Sequence, residues 1–88
     1  MGDQAMSRRL KVQLKLAVNR LRLVQQKETE LAKQARRELA GLLELKKEES
    51  ARIRVENIIH DDVNVELLEI LELYCELLLA RYGILEQT

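Results

Sequence analysis

The 88-residue chain has no Pro, Trp or Phe and only three Gly, and it is dominated by Leu, Glu, Lys, Arg and Ala. That is the composition of a few long helices rather than of a sheet protein, and two Tyr give little bulk for a globular core. Fifteen basic side chains balance fifteen acidic ones, so total charge argues neither for nucleic acid nor for acidic ligands.

Distribution says more than the total. Residues 1–27 carry seven bases against Asp3, residues 28–55 seven bases against six acids, and residues 56–88 Arg81 against eight acids. The chain is therefore a charge dipole along its length. Met1 to Met6 reads as a flexible N-terminus or an expression scar, with no apolar stretch that would make it a signal peptide.

Helix 1 is expected at about 7–44, with Ser7 as N-cap. Apolar residues recur at Leu10, Leu14, Ala17, Leu21, Val24, Leu31, Ala35 and Leu42, a heptad-like seam broken at Glu28 and Glu38. A second stripe, Val12, Leu16 and Leu23, falls on the other side of the same helix, and Arg8, Lys11, Lys15 and Arg22 form a basic ridge between the two. From Gly41 to Ser50 the seam disappears, and the turn is expected there.

Helix 2 is expected at about 48–82, stopped by Gly83 as a C′ residue with Ile84 as its hydrophobic follower. Beyond Val63 its apolar positions, among them Leu67, Leu71, Tyr74 and Leu78, span an arc of roughly 200°, about twice what one neighbouring helix covers. Glu69, Glu72 and Glu76 form an acidic face on the remainder. The fold class is all-α: two long antiparallel helices in a hairpin over residues 7–85, with residues near 15 opposite residues near 77. Arms of about 35 residues at ~1.5 Å per residue make a rod on the order of 50 Å. The basic start then lies beside the acidic end, an arrangement that sets register more than stability, since an exposed ion pair contributes about 0 to 1 kcal/mol.

Catalytic groups do not converge. His60 and Cys75 lie ~22 Å apart along one helix, no Gly-rich loop exists, and the spaced glutamates of helix 2 lack the Glu-x-x-His companion of a carboxylate metal site. No enzyme, metal site or cofactor is expected. Cys75 reads as a small buried hydrophobe; as the only Cys it excludes an internal disulfide and points to a reducing compartment. The longest unbroken apolar run, Leu77 to Ala80, is far below the ~18 to 20 residues of a membrane span. The basic ridge admits three uses: pairing with the acidic helix, contact with anionic lipid, or contact with a phosphate backbone, the last weakened by the want of interleaved aromatics.

Three segments go beyond periodicity: LKVQLKLAVNRLRLVQQKETELAKQARRELA (Leu10 to Ala40), ARIRVENII (Ala51 to Ile59) and ILELYCELLLARYGIL (Ile70 to Leu85). They resemble the first two helices of the increased-sodium-tolerance family of ESCRT-III-like regulators, across nearly all of the chain except Met1 to Met6. The resemblance implies an ESCRT-III-type helical hairpin against which later short helices of a larger domain pack, those helices being expected to lie outside this chain as in a fragment or truncated homologue.

It also implies an assembly and regulatory subunit of endosomal (multivesicular body) sorting, membrane scission and cytokinetic abscission. Such a subunit binds and co-polymerises with late-acting ESCRT-III subunits, and contacts an AAA ATPase only through regions absent here. Its expected place is cytoplasmic, peripheral on endosomes and at the midbody, with no small-molecule substrate. Within that picture Val12, Leu16, Leu23, Leu67, Leu71, Tyr74 and Leu78 are the candidate protein-interaction residues, and self-association is expected. Alternatives are a peripheral membrane-surface binder acting through Arg8, Lys11, Lys15 and Arg22, and a plain structural coiled coil.

Overall fold

The computed structural model describes the backbone of residues 2–87 and the side chains of residues 4–84. It consists of α1 (Gly2–Glu44) and α2 (Glu48–Gln87), joined by the turn 45–47 and folded back antiparallel into one hairpin. The Cα positions span 66 × 16 × 14 Å. The rod exceeds the expected length because its arms have 43 and 40 residues.

Both helices outrun their expected starts or stops. Ser7 is not a cap, since α1 is already helical at Gly2; no Gly or Pro lies between Asp3 and Ser7 to interrupt it. Of the segment expected to be flexible, only Met1 lies outside the described residues. Gly83 is likewise not a C′ residue: it has no positive φ, and α2 continues through it to Gln87. One helical Gly costs only about 1 kcal/mol relative to Ala, too little to stop a helix that goes on through Ile, Leu, Glu and Gln.

The interhelical seam sits one position from where periodicity alone puts it. On α1 the least accessible line runs through Leu14, Val18, Leu21, Gln25, Glu28, Ala32, Ala35 and Leu39, a strict alternation of three and four. Val18 and Ala32 are buried at 5% and 4% exposure, whereas Leu10, Val24 and Leu31 remain 44%, 43% and 47% exposed. The reason is the partner helix. Small Val18 and Ala32 allow close approach, and this rotation sets Arg22 and Arg36 against acids of α2.

On α2 the corresponding line is Ala51, Arg54, Ile58, Asp61, Val65, Leu68, Glu72, Cys75 and Leu79. Among the described residues only Val18, Ala32, Ala51 and Ile58 are buried, so the core is a thin strip. Lys11, Gln25, Glu28, Arg54, Asp61 and Glu72 are half-buried along it.

The turn contains no glycine. Lys46 takes φ 57°, its N–H donates to the Leu43 carbonyl at 3.0 Å, and the Lys47 N–H donates to the Leu42 carbonyl at 3.0 Å. Those two bonds are the Schellman pattern, with Lys46 in the left-handed position usually held by Gly. The next bond, Ala51 N–H to the Lys47 carbonyl at 2.9 Å, opens α2, whose first turn carries Glu48 and Glu49 at the favourable end of the helix dipole.

Candidate interaction surface

The hairpin has two unlike edges. Along one edge the charges predicted to attract do meet. Arg22 Nη2 donates to Glu76 Oε1 at 2.7 Å and its Nε to Glu72 Oε1 at 3.2 Å, while Gln25 Nε2 reaches the same Glu72 oxygen at 3.4 Å. Nearer the turn Arg36 Nη2 donates to Asp62 Oδ2 at 2.7 Å. The Arg22 guanidinium is held further toward its charged form than usual, chiefly by the Glu76 hydrogen bond, with the charges of Glu72 and Glu76 adding to it against some desolvation.

These pairs divide the predicted basic ridge. Arg22 is committed to α2, and Lys11 is half-buried and engaged in a contact of its own. Arg8 and Lys15 are exposed. The acidic face divides too: Glu72 and Glu76 turn in toward α1, and Glu69 stays exposed. Glu72 lies on the seam line and Glu76 beside it opposite Arg22, whereas Glu69, one heptad before Glu76 on the same stripe, falls where α1 has Thr29 between Arg22 and Arg36 and so meets no base.

The other edge is apolar. Leu10, Val24 and Leu31 of α1 flank the seam there, and it is closed near the turn by Arg54 Nη2 to Glu38 Oε2 at 3.2 Å. Leu71 and Leu78 of α2 lie on the same side of the seam, and from them an apolar surface spreads around α2 through Leu67 and Tyr74 to Val63, Ile70, Leu73 and Leu77. Tyr74 is 63% exposed and Leu78 44%. With Ile59 and Ile84 these exposed side chains form an extended apolar surface along α2, of the kind that marks an interaction site rather than scattered surface hydrophobics.

The third feature is the outer face of α1, where Val12, Leu16 and Leu23 stand exposed, with Arg20 and Lys27 exposed on a stripe beside them. The structure thus keeps every predicted interaction residue at the surface, but in two groups on opposite sides of the rod: Val12, Leu16 and Leu23 on α1, and Leu67, Leu71, Tyr74 and Leu78 on α2. Sequence reasoning missed the exposure of Leu10, Val24 and Leu31, which it had assigned to the seam. The signal that separates the two lines is the set of polar residues Lys11, Gln25 and Glu28, half-buried on the seam line, of which Gln25 reaches Glu72. No described helix is long and apolar enough to cross a membrane.

Comparison with known proteins agrees with this geometry. A family model described as "Ist1: Regulator of Vps4 activity in the MVB pathway" matches residues 11–88. The chain is 56% identical over 77 residues to vacuolar protein sorting-associated protein IST1 of Saccharomyces cerevisiae, covering 88% of this chain and 26% of that protein. It is 48% identical over 87 residues to the IST1-like protein of Dictyostelium discoideum, covering 99% of this chain and 24% of that one.

Among solved structures it matches the S. cerevisiae Ist1 N-terminal domain in complex with the Did2 MIM motif, with a TM-score of 0.86 and 54% identity over 90% of this chain and 42% of that one. The chain spans about a quarter of the length of these curated relatives. Its two helices form the ESCRT-III-type hairpin of that domain, and the chain belongs to the Ist1 family of regulators of Vps4 activity in the MVB pathway.

Proposed function

We propose that this hairpin is the non-enzymatic binding core of an ESCRT-III-associated assembly and regulatory subunit, acting in multivesicular-body sorting and in membrane scission and abscission by docking and co-polymerising with other ESCRT-III subunits. The observation that carries the reading is the apolar surface of α2 around Leu67, Leu71, Tyr74 and Leu78, too wide for α1 to cover. Support comes from the yeast relative, whose N-terminal domain has been solved with a MIM motif of Did2. A helical motif buries its apolar face in such a surface by the helix-in-groove mode.

On this reading the protein works in the cytoplasm, peripherally on endosomes and at the midbody, and influences the ATPase Vps4 through partners and through regions beyond this hairpin. A fluorescent Did2 MIM peptide titrated with the 88-residue chain tests it. Saturable binding lost in the double variant Leu71→Asp, Tyr74→Asp is expected. Equal binding by the variant removes this surface from the mechanism, and no binding by either chain shows that the hairpin alone is not the docking unit.

A second reading, membrane-surface contact, is favoured by the absence of acids between residues 4 and 27 and by exposed Arg8 and Lys15. Each such base near an anionic surface contributes about 1 kcal/mol, so two exposed ones provide adherence but not stable anchoring. Sedimentation with phosphatidylserine vesicles should weaken in Arg8→Glu, Lys15→Glu; unchanged binding discards the idea.

A further inference from the structure

We propose that Ser50 is a phosphorylation site for a kinase that reads basic side chains, and that its phosphate draws Arg54 away from Glu38, opening the ion pair that closes the apolar edge at the turn end. The switch lies wholly within the hairpin and does not depend on which partner docks.

Access selects the residue. Among the described side chains the serine and threonine hydroxyls are those of Ser7, Thr29 and Ser50. Ser7 is half-buried, and Thr29, though exposed, sits in the middle of α1 between Glu28 and Glu30. Ser50 ends the run Leu43 to Ser50, in which every residue is exposed, the longest such run among the described residues. It is also the third residue of α2, in the first turn, where a helix opens at least cost. A kinase cleft takes its substrate extended, so this hydroxyl is reached without breaking the seam.

Charge gives the kinase class. Lys46 and Lys47 lie just before Ser50, Arg52 and Arg54 just after it, and Lys46, Lys47 and Arg52 are exposed. Glu48 and Glu49 intervene, so the bases available to the kinase are the outer ones. In the transfer the Ser50 Oγ bonds to the γ-phosphorus of ATP and the bond from that phosphorus to its bridging oxygen breaks. ADP leaves with the electron pair, and the hydroxyl proton passes to the kinase's catalytic carboxylate.

The consequence follows from helical spacing. Residues four apart are neighbours on a helix, with Cβ atoms about 5 to 6 Å apart, so Ser50 stands beside Arg54. Arg54 is half-buried, and its Nη2 reaches Glu38 Oε2 at 3.2 Å, against 2.7 Å for Arg22 to Glu76 and for Arg36 to Asp62. A phosphate carries nearly twice the charge of a carboxylate and accepts both arms of a guanidinium. It therefore outcompetes Glu38 for Arg54 and repels Glu38 as well. Negative charge in the first turn of α2 is at the favourable end of the helix dipole, so the helix persists while the interhelical pair is lost.

The test uses the full 88-residue chain. Protein kinase A or protein kinase C, both readers of basic sequences, should add one phosphate with ATP, located at Ser50 by mass spectrometry, and Ser50→Ala should take up none. No incorporation by either kinase overturns the site, as does phosphate on Ser7 or Thr29 instead.

The capture of Arg54 is read separately, by phosphorus NMR titration of the chain with phosphate on Ser50, introduced enzymatically or by synthesis. Pairing with a guanidinium favours the dianion, so the second pKa of the phosphate should fall below the ~6 of ordinary phosphoserine. Arg54→Gln should raise it by about 0.3, and Glu38→Gln, which frees Arg54, should lower it by a similar amount. A value unmoved by Arg54→Gln, with helix content unchanged by circular dichroism, refutes the capture. A value unmoved by Glu38→Gln shows that the two anions do not share one guanidinium, and that too overturns the switch.

Discussion

Replacing Lys46 by Gly should stabilise the hairpin. Lys46 has φ 57° and closes both Schellman hydrogen bonds through the peptide groups of residues 46 and 47. The left-handed conformation costs an L-residue with a Cβ roughly 1 to 2 kcal/mol, which Gly avoids. Against this, Gly widens the unfolded ensemble, a loss of about 0.4 to 1 kcal/mol. The side chain at 46 is exposed, so nothing else is forfeited.

The difference leaves a gain of about 0.5 to 1 kcal/mol, equivalent to a rise in Tm of roughly 2 to 8 °C for a domain of this size. Thermal melting by circular dichroism measures it, at a concentration low enough for self-association not to contribute. Lys46→Val should move the other way, because a β-branched side chain tolerates this conformation poorly. A Lys46→Gly variant that melts at or below the wild-type temperature refutes the argument that the turn stores strain.

Three further outcomes follow from the thin seam. Ile58→Ala truncates one of the four side chains buried among the described residues and should cost about 2 to 3 kcal/mol, at the low end for such changes because the strip lies close to solvent and can partly collapse; urea denaturation measures it. Ala51→Leu overfills a position only 3% exposed at the turn end and should cost about 1 to 3 kcal/mol, whereas Leu45→Ala in the exposed turn should cost well under 1 kcal/mol. Arg22→Glu sets three acids together at one edge and should lower Tm, with added salt recovering part of the loss; a salt-independent loss means that the arginine acts through packing instead.

The helicity of both arms, the place of the turn and the meeting of a basic arm with an acidic one were legible in the order of residues alone, whereas the outer ends of both helices were not. Each follows from local chemistry: helix formers without Pro, a break in the apolar repeat from Gly41 to Ser50, and charges segregated along the chain. The surplus of apolar surface on α2 was legible for the same reason, since no single helix can cover so wide an arc. The repeat of α1 fits two rotations one residue apart, through Ala17 and Leu31 or through Val18 and Ala32, and periodicity does not choose between them.

Only the packed partner chooses. Rotation toward Val18 and Ala32 lets the helices approach closely and gives Arg22 and Arg36 their carboxylates, leaving Leu10, Val24 and Leu31 outside. The same choice takes Arg22 out of the exposed basic ridge and Glu72 and Glu76 out of the exposed acidic face. Composition and pattern therefore determined a helical hairpin with more sticky surface than it can bury itself. Which residues form that surface was decided by the tertiary structure, because helix rotation is set by contacts between residues about fifty positions apart in the chain.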